Sequence, residues 1–352
     1  GLYQLGAIAT MKFELYLDDE KIVGSHYNYR DELGDPRVEA TPPIKLEAGK
    51  TYRIRMDAQE SYGDAQLQFV WSKPEGDLEK EALDIAAKAD AVVMFLGLTP
   101  RLEGEEMKVD VEGFRGGDRT RIDLPRPQQA LLEKVTKLGK PTVLVLLNGS
   151  ALAVNWAEKN VPAILEAWYP GQAAGTAIAD VLFGDYNPAG RLPVTFYKSV
   201  DDIPPFEDYN MQGRSYKYFK GKPLYPFGHG LSYTAFDYKN LKTAPSIKAG
   251  GEITVNVDIT NSGKRAGEEV VQLYVSYPKS KVERPAKELL GFERITLQPK
   301  ETKTVALTLP ADELRYWDAE KDRWVLENTP VEIQVGASSS DIRLTKMLKV
   351  GK

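Results

Sequence analysis

The sequence predicts a multidomain protein in which an α/β sandwich with a mostly parallel sheet is preceded by a β-sandwich segment and followed by a second β-sandwich. Three observations lead to this prediction. The chain has 352 residues, which is enough for two or three domains of roughly 100–200 residues each. Strand-like and helix-like runs alternate between residues 78 and 198. Residues 1–73 and 236–352 instead contain turn-separated strand-like runs, and residues 199–235 form the linker.

The first segment has the pattern of an antiparallel sheet. Its strand-like runs occupy residues 13–24, 44–60 and 66–72. The run 13–24 is divided by the turn pair Asp18-Asp19, and apolar and charged side chains alternate in 51–58. This alternation is typical of a strand with one buried face. The breaker-rich stretch at 73–77 marks the boundary of the segment.

The middle segment alternates between the two kinds of element. Continuously apolar runs, which are typical of parallel strands buried on both faces, occupy residues 91–98, 142–148 and 162–168, and a further strand is expected at 193–196. Helical patterns occupy residues 78–89, 126–139 and 171–184, and the last two end at a glycine. This order of elements predicts a parallel sheet.

The last segment contains four strand-like runs over about 100 residues, which is typical of an immunoglobulin-like sandwich. The runs lie at residues 252–260, 269–277, 302–310 and 331–338. Asn261-Ser262-Gly263 is expected to form the turn after the first of them. Trp317 and Trp324 are expected to fill the core of this sandwich.

The composition excludes several kinds of site. The chain has no cysteine, which excludes disulfides, thiolate nucleophiles and cysteine-ligated metals. Its two histidines, His26 and His229, lie far apart, which argues against a histidine-rich zinc site and a Ser-His-Asp triad, and the glycines around His229 favour a structural role. The net charge of −5 argues against a nucleic-acid surface, and no apolar run reaches the roughly 18 residues of a membrane span.

A long charged loop follows the first predicted parallel strand. Between residues 101 and 119 it carries the carboxylates Glu103, Glu105, Glu106, Asp110, Glu112 and Asp118 and the cations Arg101, Lys108, Arg115 and Arg119. From charge alone, a solvated surface loop is the favoured interpretation. Two features argue for chemistry: the loop is long, and ligands of open α/β sheets bind outside the carboxyl ends of the strands.

Glycosidic bonds are cut by a pair of carboxyl groups, one of which must hold a proton at the working pH. Neighbouring carboxylates disfavour ionisation, so a glutamate in a crowded cluster is suited to that task. Glu105, between Glu103 and Glu106, fits this requirement, but the cluster alone does not decide among the three.

The same loop resembles the acid/base region of family 3 glycoside hydrolases, whose members show a Glu-x-Glu-Gly pattern, then Asp-Arg, then Leu-Pro. The matching stretches here are 97-GLTPRLEGEE-106, 117-GDR-119 and 123-DLP-125. Further matches are 147-LNGSALAVNWA-157, 166-EAWYPGQAAGTAIADVLFGDYNPAGRLPVTF-196 and 225-YPFGHGLSYTAF-236. Residues 284–299 and 312–318 resemble the fibronectin type III-like module of these enzymes, and residues 13–24 resemble the protective-antigen-type β-sandwich that some members insert.

This resemblance implies site residues one by one. Glu105 takes the place of the second glutamate of the pattern, the proton donor, with Glu106 ranked second and Glu103 third. Glu106 stands where the family has glycine, and several inserted residues precede Asp118-Arg119. Asp118 and Arg119 match the Asp-Arg pair and are expected to pin the loop through an internal ion pair and hydrogen bonds rather than to contact the sugar.

The resemblance also implies a function: part of a retaining exo-β-glycosidase acting on terminal β-glucosides or β-xylosides. In the family the nucleophile is an aspartate of an N-terminal barrel, and no such motif occurs in this chain. The expected partners are therefore a β-linked oligosaccharide or aryl glycoside and a barrel domain or chain that carries the nucleophile. No cofactor or metal is implied, the sequence leaves a homodimer open, and a periplasmic or secreted location suits the family. The alternative is a non-catalytic carbohydrate-binding or scaffold fragment.

Overall fold

The computed structural model describes residues 1–25, 37–60, 65–72, 76–100, 102–107, 109 and 111–351. The chain divides into two compact units, which consist of Gly1–Leu147 with Asn160–Glu166 and of Asn148–Lys159 with Ala167–Lys352. His26, residues 73–75 of the predicted boundary, and Arg101, Lys108 and Asp110 of the charged loop lie outside the described residues. No helix of the described part is long and apolar enough to cross a membrane.

The first unit contains a β-rich front part and a parallel sheet with helices. Its strands are β1 (Leu2–Ala9), β2 (Lys12–Leu17), β3 (Glu20–Gly24), β4 (Arg37–Ala40), β5 (Ile44–Lys45), β6 (Ile54–Gln59), β7 (Leu67–Ser72), β8 (Val92–Gly97), β9 (Phe114–Arg115), β10 (Asp118–Arg119), β11 (Thr142–Leu147) and β12 (Ala163–Glu166). Its helices are α1 (Leu78–Lys88) and α2 (Arg126–Thr136).

The front part is a small β-sandwich, as predicted. One sheet contains β4, β1, β5 and β7, and the other has the order β3-β2-β6. Their shared core consists of Leu5, Ala7, Ala9, Phe13 and Leu15, all at most 3% exposed. The predicted turn joins β2 to β3: Asp18 and Asp19 both have positive φ, at 48° and 70°, which suits a two-residue hairpin turn with left-handed central residues.

The predicted parallel sheet is also present. Its strand order is β12-β11-β8, and both pairs are parallel. Leu144, Val145 and Leu146 of the central strand β11 are at most 1% exposed, which explains the continuously apolar pattern of this segment. Helix α1 starts at Asp77, whose side chain accepts a hydrogen bond from the Lys80 amide at 2.9 Å, as an N-cap residue does.

The prediction of a strand at residues 193–196 is wrong. This segment takes part in a single antiparallel bridge, between Phe196 and Tyr225. Pro193 has no N–H to donate to a ladder, and Val194 is 43% exposed, so the first half of the run lacks both the hydrogen bonds and the burial of a sheet strand. Phe196 itself is buried at 1% exposure and makes an edge contact with Trp168.

The second unit contains mainly antiparallel strands. Its helices are α3 (Asn155–Asn160), which begins in this unit, α4 (Ala174–Phe183) and α5 (Ser215–Tyr218). Its strands are β13 (Phe236–Lys242), β14 (Ser246–Lys248), β15 (Glu252–Asn261), β16 (Gly267–Ser276), β17 (Glu288–Leu297), β18 (Thr302–Pro310), β19 (Tyr316–Asp318), β20 (Arg323–Val325), β21 (Val331–Gly336) and β22 (Ile342–Gly351).

The last sandwich is built from two sheets, with orders β13-β15-β18 and β14-β22-β21-β16-β17. Its core includes Val255, Val257, Leu273, Ile333 and Leu348, all fully buried at 0% exposure. The predicted turn after β15 is held by buried Asn261, whose Nδ2 donates to Arg265 O at 2.7 Å and whose Oδ1 accepts from the Gly263 amide at 3.1 Å. The predicted sandwich is therefore confirmed.

The prediction that Trp317 and Trp324 fill this core is wrong. They face each other across the hairpin of β19 and β20, with ring centroids 5.6 Å apart, and are 49% and 60% exposed. A two-stranded hairpin has too little core of its own, and a cross-strand aromatic pair stabilises it. The two indoles thus act on the surface, where they hold the hairpin together.

Candidate active site

The charged loop leaves the parallel sheet at the end of β8, where the backbone is packed too closely for any side chain. Gly97 has φ +143°, and a Cβ atom built there would lie 1.9 Å from the carbonyl oxygen of Leu147 in β11. The next residue, Leu98, donates its amide to the same oxygen at 2.7 Å and is buried at 4% exposure. The loop therefore starts from a rigid position at the carboxyl end of the sheet, where α/β proteins bind ligands.

The segment with the three glutamates rests on a short hairpin formed by β9 and β10. Gly104 donates its amide to Gly117 O at 3.2 Å, and Met107 donates to Gly116 O at 2.8 Å. Met107 is buried at 9% exposure beneath these contacts. The loop thus has a small framework of its own, and the acidic segment is one side of it.

The glycines of the loop make this close approach possible. Gly116 and Gly117 form the turn of the hairpin with φ of 63° and 88°, a pair that a two-residue hairpin favours. A Cβ atom at Gly117 would lie 2.0 Å from Gly104 O, and one at Gly104 would lie 2.5 Å from Met107 Sδ. The two sides of the loop can therefore touch only because both positions lack a side chain.

The structure separates the three candidate proton donors by their surroundings. Glu103 is turned inward: its side chain is 20% exposed and lies 3.9 Å from Nη1 of Arg119. Glu105 and Glu106, the next two carboxylates, are both exposed to solvent. Glu103 therefore makes a contact within the loop, whereas the carboxylates of Glu105 and Glu106 are accessible to a ligand.

Asp118 and Arg119 occupy different environments although they are neighbours in the sequence. Arg119 has only 9% of its side chain exposed, and its Nε donates to Arg121 O at 3.2 Å. Within the described residues its ion pair is with Glu103, and Asp118 is exposed on the hairpin. Arg119 thus makes internal contacts of the kind expected for a residue that supports the loop. The Asp118 side chain makes no ion pair or hydrogen bond with the part of the chain that the structure describes.

Glu106 has a backbone conformation that glutamate seldom adopts. Its φ is +50°, in the left-handed region that favours glycine. This is the position at which the family pattern has glycine. Glu106 therefore bears the strain of a side chain in a conformation that suits glycine.

The far end of the loop is held by charged pairs on the surface. Arg121 makes a two-point contact with Asp123 and lies 3.2 Å from Glu112, which in turn lies 3.0 Å from Arg126. The hydrogen bond from Arg121 lowers the pKa of the Asp123 carboxyl. These side chains are partly or largely exposed, so each pair adds little stability, but together they order the exit of the loop.

Sequence reasoning missed one residue of this site, Gln128 in the first turn of α2. Its Nε2 donates to Gly97 O at 2.8 Å, and its Oε1 accepts from the Gly97 amide at 2.8 Å. The residue lies outside the charged loop, in a segment whose pattern indicated only a helix. The sequence feature that could have identified it is a glutamine three residues after Leu124-Pro125, in the first turn of the predicted helix.

The arrangement offers accessible carboxyl groups at Glu105 and Glu106, on a loop fixed at the carboxyl end of a parallel strand. Such a group can give a proton to a leaving oxygen and later take one from water. A retaining glycosidase needs a second carboxylate about 5–5.5 Å away from the first. Glu103 is engaged with Arg119 and faces inward, so it is not placed to be that second group.

Two sequence profiles match the chain. The glycosyl hydrolase family 3 C-terminal domain matches residues 20–233, and the fibronectin type III-like domain matches residues 269–339. The first includes the charged loop and the parallel sheet, and the second lies within the last sandwich.

Similar proteins carry related names. A xylan 1,4-beta-xylosidase of Xylanibacter ruminicola is 37% identical over 352 residues, which cover 99% of this chain and 39% of that protein. A periplasmic beta-glucosidase of Salmonella typhimurium is 37% identical over 276 residues, which cover 75% of this chain and 35% of that protein. The crystal structure of a beta-glucosidase from Kluyveromyces marxianus in complex with glucose is 32% identical, has a TM-score of 0.79 and covers 100% of this chain and 43% of its own. The chain thus spans about two fifths of the length of these relatives.

Proposed function

Because the chain belongs to glycosyl hydrolase family 3, we propose that it supplies the general acid/base of a retaining exo-β-glycosidase and that Glu105 is the proton donor. The observation that supports this role is the placement of Glu105: an exposed carboxyl on a loop fixed at the carboxyl end of strand β8. Of its two neighbours, Glu103 is turned toward Arg119, and Glu106 occupies the position of the glycine in the family pattern.

In this proposal Glu105 acts twice. It first protonates the glycosidic oxygen as the bond to the leaving group breaks, and it then removes a proton from the water that releases the sugar from the enzyme. The covalent intermediate forms on an aspartate that lies outside this chain, in a barrel that belongs to the same polypeptide or to a partner. We call the assembly of this chain with that barrel the complete enzyme.

The proposed substrates are terminal β-xylosides and β-glucosides, since the similar proteins are named beta-xylosidases and beta-glucosidases. The acid/base domain is assigned to residues 78–198 and the fibronectin type III-like domain to residues 236–352, joined by the linker 199–235. Residues 1–73 are assigned to a protective-antigen-type sandwich.

The test of Glu105 is its replacement by glutamine in the complete enzyme. Glu105→Gln should slow hydrolysis of glycosides with poor leaving groups by about 10²–10⁴-fold, the usual contribution of general acid catalysis. Dinitrophenyl glycosides, whose leaving groups need no proton, should be affected far less in the bond-breaking step. Added azide should restore part of the turnover, because this anion attacks the intermediate without a general base.

Glu106→Gln and Glu103→Gln are the matched controls, since both change a neighbouring carboxyl to an amide of the same size. Neither should show the dependence on leaving group or the rescue by azide. Normal hydrolysis of a xylo- or cello-oligosaccharide by Glu105→Gln would refute the assignment of Glu105. The same signature in Glu106→Gln alone would move the role to that residue.

A second experiment separates the enzyme from a non-catalytic carbohydrate-binding or scaffold protein. The 352-residue chain alone should not hydrolyse an aryl β-glycoside, because it lacks the nucleophile. Addition of a family barrel that carries the aspartate should restore hydrolysis. Sugar binding without activity in every such combination would favour the scaffold.

A further inference from the structure

The loop that carries Glu105 begins after β8 and ends at α2. Gln128, in the first turn of α2, is hydrogen-bonded to the last residue of β8. The entry is Gly97, the last residue of β8, and the exit is Pro125, the N-cap of α2. Gln128 lies three residues after Pro125, and its amide group reaches back to the entry. Both polar atoms of the amide are used there: Oε1 accepts from the Gly97 amide and Nε2 donates to the Gly97 carbonyl, each at 2.8 Å.

The Gln128 amide makes the hydrogen bonds to Gly97 that a strand next to β8 would otherwise make. The N–H and C=O of one residue in a strand point to the same side, and those of Gly97 face away from β11, since it is Leu98 that donates to Leu147 O on the β11 side. The side chain of Gln128 therefore completes the pairing of the last residue of β8. Without it, two partly buried backbone groups at the start of the loop would have no partner.

The backbone at this point is held on both sides. Gln128 holds Gly97 on one side, and on the β11 side the next amide, that of Leu98, donates to Leu147 O at 2.7 Å. A change in the Gln128 contact would thus be passed on to Leu98, the first residue of the loop after β8. The two hydrogen bonds fix the peptide groups on both sides of Gly97, and these set the direction in which Leu98 leaves the strand.

We propose that Gln128 is a positioning residue of the active site, which fixes the entry of the loop so that Glu105 meets the glycosidic oxygen. This inference rests on the proposed role of Glu105. Gln128 does not touch the substrate and acts through Gly97 and the loop. A misplacement of about 1 Å can cost a reaction about 100-fold, so a small shift at the base of the loop is enough to slow proton transfer.

The test compares Gln128→Met with Gln129→Met in the complete enzyme. Methionine keeps the length of the side chain and removes both hydrogen bonds to Gly97. Gln129 is the matched control, because its amide donates along α2, to Glu133 Oε1 at 2.8 Å, and not to the base of the loop. We expect Gln128→Met to lower kcat/KM for alkyl and unactivated aryl glycosides by about 10–100-fold and that for the dinitrophenyl glycoside by less than about threefold. Gln129→Met should change neither by more than about twofold.

A purely structural role of Gln128 would lower activity on both kinds of glycoside equally, through loss of folded protein, and that result would overturn the proposal. Gln128→Glu provides a second variant if methionine prevents folding. It keeps the acceptor for the Gly97 amide but sets an oxygen against the Gly97 carbonyl, so it should show the same preference. Hydrogen exchange at the Gly97 amide should accelerate in Gln128→Met and not in Gln129→Met.

Glu105→Gln is measured in parallel as the reference. If Glu105→Gln shows the dependence on leaving group and Gln128→Met does not, the inference about Gln128 fails and the proposed function stands. If Glu105→Gln itself lacks that dependence, the proposed function fails first. The two failures are therefore distinguishable.

Discussion

The guanidinium of Arg119 lies 3.9 Å from the carboxylate of Glu103 and joins the hairpin side of the loop to its acidic side. The contact crosses the loop next to the backbone hydrogen bond between Gly104 and Gly117. Two carboxylates in the same stretch, Glu103 and Glu105, thus have different tasks. Glu103 makes a contact inside the loop, and Glu105 is exposed at its surface.

Loss of this contact should loosen the loop. Arg119→Met removes the ion pair and the hydrogen bond to Arg121 O, and we expect it to lower the protection of the Met107 amide against hydrogen exchange by about 1–3 kcal/mol. Arg115→Met, at an exposed side chain of the same hairpin, should change it by less than about 0.5 kcal/mol. Equal effects of the two substitutions would show that the Glu103–Arg119 contact does not hold the loop.

The backbone of Glu106 gives a second prediction. Both Glu106→Gly and Glu106→Ala remove the carboxylate, but only glycine adopts a φ near +50° without strain. The glycine variant should therefore be more stable than the alanine variant by about 1 kcal/mol. Chemical unfolding of the two variants side by side measures this difference, and a more stable alanine variant would contradict the left-handed conformation. Both variants should keep their activity on poor leaving groups if Glu105 is the proton donor.

Much of the fold followed from short-range patterns. The apolar run of β11 reflects burial on both faces of a parallel strand, and Asp18-Asp19 formed the expected turn. The same burial was expected for β8 and is wrong, because Val93 and Phe95 on one face of this edge strand are 43% and 52% exposed. The strand at 193–196 was mispredicted because four residues of apolar and β-branched character resemble a strand even where Pro193 prevents a ladder. Trp317 and Trp324 were mispredicted because a tryptophan is usually buried, and only the pairing of β19 with β20 reveals their contact.

The candidate site was also predictable in part, where it depends on short-range patterns. The position of the loop after β8 and its carboxylates can be read from the sequence, as can the order of the glutamates. The partner of Arg119 and the contact of Gln128 with Gly97 could not be predicted, because they depend on how segments 16 and 31 residues apart come together in space.

The backbone conformation before the last sandwich should require a glycine at position 228. This residue has φ +80°, and a Cβ atom there would lie 2.1 Å from Oε1 of Gln272, a buried side chain that donates to Gly228 O at 3.2 Å. Gly228→Ala should lower the stability of the second unit by about 2–4 kcal/mol, from left-handed strain and overpacking together.

The matched control for Gly228 is Gly175→Ala, because Gly175 lies in α4 with nothing within 4 Å of the added methyl group. Alanine favours a helix over glycine, so this substitution should raise stability by about 0.5–1 kcal/mol. Thermal unfolding of both variants measures the contrast. A Gly228→Ala protein as stable as the parent would contradict the close approach to Gln272.

Alkaline pH should destabilise the second unit through its buried tyrosines. Burial raises the pKa of Tyr225 from 10.0 to about 12, and burial also raises the pKa of Tyr238 and Tyr274. Below pH 10 both the folded and the unfolded chain keep the phenolic proton, so the full stability is present. Between pH 10 and pH 12 the unfolded chain releases the proton of residue 225 and the folded chain does not, so the free energy of unfolding falls as the pH rises.

Tyr225→Phe isolates one part of this effect, because it keeps the ring that stacks on His229 and removes the ionisable group. Between pH 9 and pH 12 the free energy of unfolding should fall less in the variant than in the parent. The difference should be about 1–2 kcal/mol, because Tyr225 is only partly buried. Tyr209→Phe, at a side chain 91% exposed, should leave the slope unchanged. Unfolding curves at several pH values measure these slopes. An identical slope for Tyr225→Phe and the parent would show that the Tyr225 hydroxyl ionises as readily in the folded chain as in the unfolded one.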